Sequence, residues 1–560
     1  MSTALKNGGL KLMVIGLDGA TFDVINPMIA RGELPNLSSL LKDGCCGHLE
    51  STTPPFSAPA WSSFMTGMNP GNHGIFGFIN YNPISYSHID SKLVTAASLA
   101  GNTLFDILSE AGNRLAVITV PITYPAWAIN GYMVSGEPCP DAESKITYPE
   151  ELAKKLPRRY AFHSTFWSKP NDEIIAGIHE MDESRATLAI QLIKTGNLDA
   201  LVVVLGATDR IQHNFWRYYD PVFGSQLGLP KEADYEDVIP ETYRRADTAV
   251  GRLLSYAGED TLVLVISDHG GGAAATKIFN TNAWLEQQGL LTIKQSQDSF
   301  LRNLRHIVVA MRRKLGSQLE FHLRRFTPQR VIEQGRALVR NVAHIDWSAT
   351  RAYRFPMYPP SEGIVINVKG RQSHGIVESG HEYEEIRDQI IEQSKLLVDP
   401  IHGHPIVIKS QRREEIYHGP YLERAPDIVL TLSNEYTGGV EVHPPVVTEV
   451  NPTTLSKVNG EHRMHGILFA KGPMIRANTW IENARLMDIA PSILYGLNLP
   501  ISENMDGVVL NELFSSEYLK QHQPSLSKHP KSENTLPSDA ILTPEEEEQM
   551  KKFLERLGYL

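Results

Sequence analysis

The chain has 560 residues, more than one ordinary domain, so one large elaborated unit or two to three units are expected. Apolar residues make up 42% and charged residues 21%, a globular composition that excludes a mostly disordered chain. The formal charge of −11 argues against nucleic-acid binding.

In chain order, the first apolar run is 12–17, closed by Asp18-Gly19. It is too short for a secretory signal core and reads as a buried strand, so the chain is expected to start near Met1 in the cytoplasm. Three cysteines, Cys45, Cys46 and Cys139, cannot build a disulfide framework and fit no zinc spacing, which agrees with a reducing compartment. Helical patterns at 35–41 and 104–111 flank a hydroxyl-rich segment, Thr52 to Gly67. Strand patterns follow at 115–120, 199–205 and 261–267, with a helical pattern at 241–256. Further on come strands at 363–368, 427–432 and 466–470, and helices at 382–397 and 488–497. No apolar run approaches the roughly 18 residues of a membrane span, so no transmembrane segment is expected. Strands that are apolar throughout and separated by helices imply an α/β fold: a central, largely parallel sheet covered on both faces.

Two regions stand apart. Residues 302–340 hold ten Arg and Lys against Glu320 and Glu333, a local charge of +8, and read as helices of an inserted lobe near the site. From residue 515 the chain turns polar, until Thr543-Pro544-Glu545-Glu546 gives a strong helix start. The expected organisation is a discontinuous core (1–275 and 425–514), an inserted helical or mixed cap (276–424), a flexible linker (515–542) and a terminal helix (543–560). Met550, Phe553, Leu554 and Leu557 share one face of that helix, which is expected to dock on the body.

The chemistry gathers where apolar strands end. Asp18 follows the first strand, and Asp209 with His213 follows the 199–205 strand. Asp268-His269 closes the 261–267 strand, and His462 and His465 precede the 466–470 strand. Ligands of open α/β sheets bind at such strand ends. Carboxylate and imidazole suit divalent ions such as zinc or manganese. Taken singly, Asp18 reads as a turn residue, and Asp209/His213 as a surface pair on one helix face. Asp268-His269 is stronger, because two ionisable residues directly after five apolar ones are costly unless used. Ser57 stands at an expected helix start, where N–H groups favour an anion, although on local grounds it also reads as a plain helix cap.

Together, Leu17-Asp18-Gly19, the Ser57 segment ending Thr66-Gly67, Asn72-His73-Gly74, Asp209 to His213, Ser267-Asp268-His269-Gly270 and Gly460-Glu461-His462 resemble the alkaline phosphatase superfamily. Within it they are most similar to the type I phosphodiesterase/nucleotide pyrophosphatase branch. Asp488 to Leu494 followed by Asn504-Met505-Asp506-Gly507 is similar to the way these domains end. The resemblance implies an alkaline-phosphatase-like fold and a hydrolase of phosphodiester, pyrophosphate or related phosphoester bonds in a small anionic substrate. It implies two divalent metal ions, zinc foremost and manganese the alternative. Asp18, Ser57, Asp268 and His269 would hold one ion, and Asp209, His213 and His462 the other, with His465 left outside. Ser57 would be the catalytic nucleophile, forming a phosphoseryl intermediate.

This sequence departs from sulfatases in one place and from the branch itself in two. Trp61 stands where sulfatases carry Arg, which argues against sulfate esters. The nucleophile is Ser rather than Thr. Twenty-one residues past it, where an Asn usually holds a phosphoryl oxygen, stands Phe78, with Asn80 two further on. Phe78 and Asn80 are therefore the substrate-binding candidates: either the loop is shifted and Asn80 serves, or the oxyanion is bound differently. Rival expectations are a phosphotransferase of the mutase type and a non-catalytic binding protein with a vestigial site.

Overall fold

The computed structural model describes residues 9–80, 82–86, 92–99, 103–140, 144–156, 171–195, 197–229, 233–294, 345–443, 445–528 and 542–557. The basic segment 302–340 lies outside the described residues.

A nine-stranded sheet forms the centre. Its order is Thr479–Arg485, Cys45–Glu50, His465–Lys471, Leu262–Ile266, Leu12–Leu17, Ala200–Leu205, Leu115–Ile118, Gly131–Val134 and Thr147–Tyr148. Leu12–Leu17 sits in the middle, parallel to both neighbours. His465–Lys471 is the exception inside the sheet, antiparallel to both of its own. The apolar strands are buried because each face meets helices. Met13, Ile15 and Leu17 pack with helices Phe22–Ala30, Pro35–Asp43, Asn171–Ile193 and Val238–Leu254. Leu12 and Val14 point the other way, toward helices Ser57–Thr66, Leu104–Glu110 and Ile489–Gly496. Burying each such side chain contributes about 1.5–3 kcal/mol, so the two faces hold the central strands in fixed register.

A smaller antiparallel sheet carries the third core, in the order Ala352–Phe355, Ser361–Ile366, Ile428–Leu432 and Val407–Arg412. Ile428–Leu432 therefore pairs with strands of the inserted region, although the core was expected to resume at 425. The reason is Asp427, whose carboxylate accepts the Ile366 N–H at 2.7 Å and an Arg371 N–H at 2.7 Å.

The stretch expected to be a flexible linker from 515 is partly built into the fold. Helix Ser516–Gln521 and strand Leu526–Ser527 lie there, the strand paired with Ile501–Ser502. Tyr518 fixes them, donating to the carbonyls of Tyr495 and Gly496 at 3.2 and 3.1 Å. Helix Pro544–Leu557 docks on the body through buried Met550, Phe553 and Leu554, and the Tyr124 hydroxyl donates to Glu546 at 2.7 Å. Among the described residues no helix is long and apolar enough to cross a membrane.

Candidate active site

Three neighbouring strands, Leu12–Leu17, Ala200–Leu205 and Leu262–Ile266, end at the same edge and deliver Asp18, Asp209 and Asp268 there. Asp209 is in the first turn of helix Ala207–Tyr219, one turn before His213. Gly19 lets them crowd. Its φ is +66°, and a Cβ there would lie 2.8 Å from that of Asp209. Its N–H also donates to Asp268 at 3.3 Å.

The antiparallel pairing of Gly270–Ala273 with Gly460–Arg463 sets His462 opposite Gly271 and so brings it to the same edge. His462 is buried. His465 is exposed, its ring 5.7 Å from that of His48, apart from the cluster.

Two donor groups result, each with ligand atoms within 4.8 Å of one another: Asp18, Asp268 and His269; and Asp209, His213 and His462. Asp209 Oδ1 lies 3.3 Å from Nε2 of both His213 and His462. His269 Nε2 lies 3.3 Å from Asp268 and 3.7 Å from Asp18. All three imidazoles are held alike: Nδ1 donates to a backbone carbonyl, Gly460 for His213, Gly270 for His269 and Pro55 for His462, at 3.0, 2.9 and 2.9 Å. That turns each Nε2 inward, as a metal ligand requires, with His213 Nε2 3.0 Å from His462 Nε2.

The protein alone does not satisfy this cluster. Among the described residues, Asp18 Oδ1 and Asp268 Oδ2 are buried without a hydrogen-bond partner. Burial, then Asp268 and Asp209, hold the Asp18 carboxyl well above its usual range. Burial and Asp209 push Asp268 up to about 7. Burial also opposes the charge on Asp209, but His213 and His462 override it and hold this carboxyl well below the usual range. For His213, burial disfavours the cation, yet Asp209 raises it to about 9. His462 is pushed down to about 3 by burial and by His269. A mixed oxygen and nitrogen donor set with orphaned carboxylate oxygens fits divalent cations.

Ser57 opens helix Ser57–Thr66, and its hydroxyl donates to His269 Nε2 at 3.2 Å. The capping position falls to Phe56, whose side chain makes no cap bond, so Ser57 is not a helix cap. Pro59 lacks an N–H, which leaves Ser57 and Ala58 as the nearest backbone donors at this positive helix end. The sequence gives no sign of Trp61's role: it donates from Nε1 to Asp18 Oδ2 at 3.0 Å.

Asp18, Ser57, Asp209 and His213 border a cavity of about 550 Å³. One wall is aromatic. Phe56 stacks on Tyr358 at 4.3 Å and meets Phe78 edge-on at 5.0 Å. Phe78 thus supplies an apolar face and no donor for an oxyanion. Asn80 pairs with Lys92 on the two-residue strand Ile79–Asn80, and its side chain lies outside the described portion. Tyr358 comes from the inserted region, where only a two-proline neighbourhood marks it in the sequence.

A mostly parallel α/β sheet with a helix-start serine and paired Asp/His groups at its strand ends defines an alkaline-phosphatase-like hydrolase. Residues 12–467 match the family model for type I phosphodiesterase / nucleotide pyrophosphatase. The chain belongs to that family and is a phosphoester or pyrophosphate hydrolase of this type. The fold is similar to phosphonoacetate hydrolase from Sinorhizobium meliloti 1021 in complex with phosphonoformate, at 16% identity and a TM-score of 0.50 over 88% of this chain and 95% of that one. Human ectonucleotide pyrophosphatase / phosphodiesterase 5 is similar at 14% identity and a TM-score of 0.45, over 90% and 100%. No curated protein sequence matches the chain.

Proposed function

We propose that the protein hydrolyses phosphodiester or pyrophosphate bonds of small anionic substrates through a phosphoseryl intermediate on Ser57. The observation that carries this reading is the Ser57 hydroxyl beside His269, next to two Asp/His donor groups and at a helix start. Asp18, Asp268, His269 and Ser57 would hold one divalent ion, and Asp209, His213 and His462 a second. Such ions, zinc by the donor mix with manganese the alternative, stabilise charge on phosphoryl oxygens and acidify the serine hydroxyl when bound.

Ser57 Oγ attacks phosphorus in line, forming the Oγ–P bond as the bond to the leaving oxygen breaks. The Ser57 and Ala58 N–H groups face the negative charge that grows on the phosphoryl oxygens. Trp61 keeps the Asp18 carboxylate turned toward the site. Water then displaces Ser57 from phosphorus and releases the second product. Three buried, unbridged cysteines support placement in a reducing compartment such as the cytoplasm.

Two successive in-line displacements retain configuration at phosphorus. Hydrolysis of a phosphorothioate diester of known configuration by the metal-loaded enzyme is therefore expected to give retention. Inversion would mean direct attack by water and would remove Ser57 from its role. Ser57→Ala should lower kcat by several orders of magnitude with substrate binding largely kept, and Ser57→Thr should retain partial activity.

A further inference from the structure

Arg185 comes from helix Asn171–Ile193 and lines the cavity that holds Ser57, Asp18 and Asp209. It is 3% exposed. A guanidinium carries five N–H donors, and among the described residues Arg185 satisfies one of them. Nη1 donates to the Val204 carbonyl at 3.3 Å, an oxygen that already accepts the Thr119 hydroxyl at 2.9 Å. Glu137 at 3.7 Å and Asp182 at 3.8 Å balance its charge but stand beyond hydrogen-bond reach. Both are engaged elsewhere. Arg210 donates to Glu137, and the Gly206 and Ala207 N–H groups donate to Asp182, each at 2.9 Å. Among the described residues, Arg185 Nε and Glu137 Oε1 are left buried with no hydrogen-bond partner.

A buried guanidinium with unused donors is costly unless something takes them up. The space for that is present. Gly206 has no side chain where a Cβ would lie 3.2 Å from Arg185 Nη1 and 3.6 Å from Arg210 Nε. Thr119, Glu137, Gly206 and Arg210 border this lobe with Arg185, and Phe553 of the terminal helix lines the same cavity.

We infer that the lobe around Arg185 is a second anion subsite, taking a carboxylate or phosphoryl group on a part of the substrate away from the bond that is cut. The inference rests on the phosphoester-hydrolase reading and narrows it to substrates with two anionic groups. The planar fork of Arg185 matches either anion in two-point fashion. A neutral arm in the lobe leaves those donors unmet, so discrimination arises from the buried arginine itself.

The test uses the zinc-loaded full-length enzyme and 4-nitrophenyl phosphodiesters whose second arm ends in methyl, carboxylate or phosphate. The wild type is expected to favour the two anionic arms by tenfold or more in kcat/KM, expressed mainly in KM. In the double variant Arg185→Met/Glu137→Gln, which removes both partners together, that ratio falls toward one. Arg185→Lys keeps the charge but not the fork and gives an intermediate ratio. Equal turnover of all three esters by the wild type overturns the subsite, with no variant needed. So does a preference that survives undiminished in the double variant. Failure of the wild type to cleave any of the three overturns the proposed function as a whole, whereas a missing preference overturns the subsite alone.

Discussion

At the scale of single residues, the site is held by groups that touch its ligands from behind. Trp61 is the clearest. Its indole N–H fixes Asp18, and its ring fills the space beside Gly16, where a Cβ would lie 2.5 Å away. Trp61→Phe keeps most of the volume and loses the hydrogen bond, so the expected outcome is a roughly 10–100-fold weaker hold on one metal, with the fold retained. His462→Ala should remove about one metal per chain and most activity, while His465→Ala changes neither. Metal counting on the purified variants checks both expectations. The three strand-end aspartates are legible in the sequence because each follows a run that is apolar throughout, where a charge is conspicuous. Arg185 is not legible. One arginine in a mixed helix of 23 residues has neither spacing nor a strand end to mark it. Tyr358 is hidden for a related reason, since the site acquires it only through the packing of the inserted region.

At the scale of elements, helix Ser57–Thr66 must be rigid for Ser57 to be placed, and every one of its residues is buried. His73 is one of its polar tethers. The Ile75 N–H donates to His73 Nδ1 at 3.1 Å, so Nε2 carries the proton and donates to Ser63 Oγ at 3.0 Å. Burial pushes His73 down to about 3, against 6.5 for a free imidazole. The unfolded chain therefore binds this proton near pH 6.5 while the folded chain refuses it. The resulting stability is full above that value and is lost as the pH falls toward 3, by about 1.4 kcal/mol per pH unit. His73→Gln is expected to flatten the decline of the urea midpoint between pH 6.5 and 4 by the equivalent of one proton. Equal slopes in the two proteins would show that His73 titrates normally in the fold. The strands with continuous apolar runs are readable from sequence, and so are the helices at 35–41, 104–111, 241–256, 382–397 and 488–497, within a few residues at each end. Strand Thr479–Arg485 is not, because as a sheet edge it buries only Ile481 and Ala484 and shows no apolar run. Cys45–Glu50 escapes notice for its Gly47 and exposed His48.

At the scale of the whole molecule, both main apolar cores close only when distant parts of the chain meet. Met550 joins one core, and Phe553 and Leu554 the other, although the family match ends at residue 467. The two candidate metal groups span similar distances in sequence, from Asp18 to His269 and from Asp209 to His462. Ions that bind the folded state alone stabilise it by about 2.7 kcal/mol at a hundredfold excess over their Kd. Chelation is therefore expected to lower Tm by several degrees, and added zinc to restore it. An unchanged Tm would mean that these groups hold no ion tightly enough to matter.

The reversed strand His465–Lys471 ties completion of the candidate site to a late stretch of the chain. It slots between Leu262–Ile266 and Cys45–Glu50, two strands made long before it, and the hairpin leading into it carries His462. A growing chain folds from its N-terminal end at a pace set by the ribosome. Until His462 has emerged, it presents the serine and three crowded carboxylates but lacks the last imidazole. The strand that joins Cys45–Glu50 to Leu262–Ile266 thus arrives together with the last candidate ligand. On the proposed two-group site, a ribosome-bound chain that ends before residue 462 is therefore expected to lack phosphoesterase activity, and assaying stalled chains that end before and after this hairpin checks it.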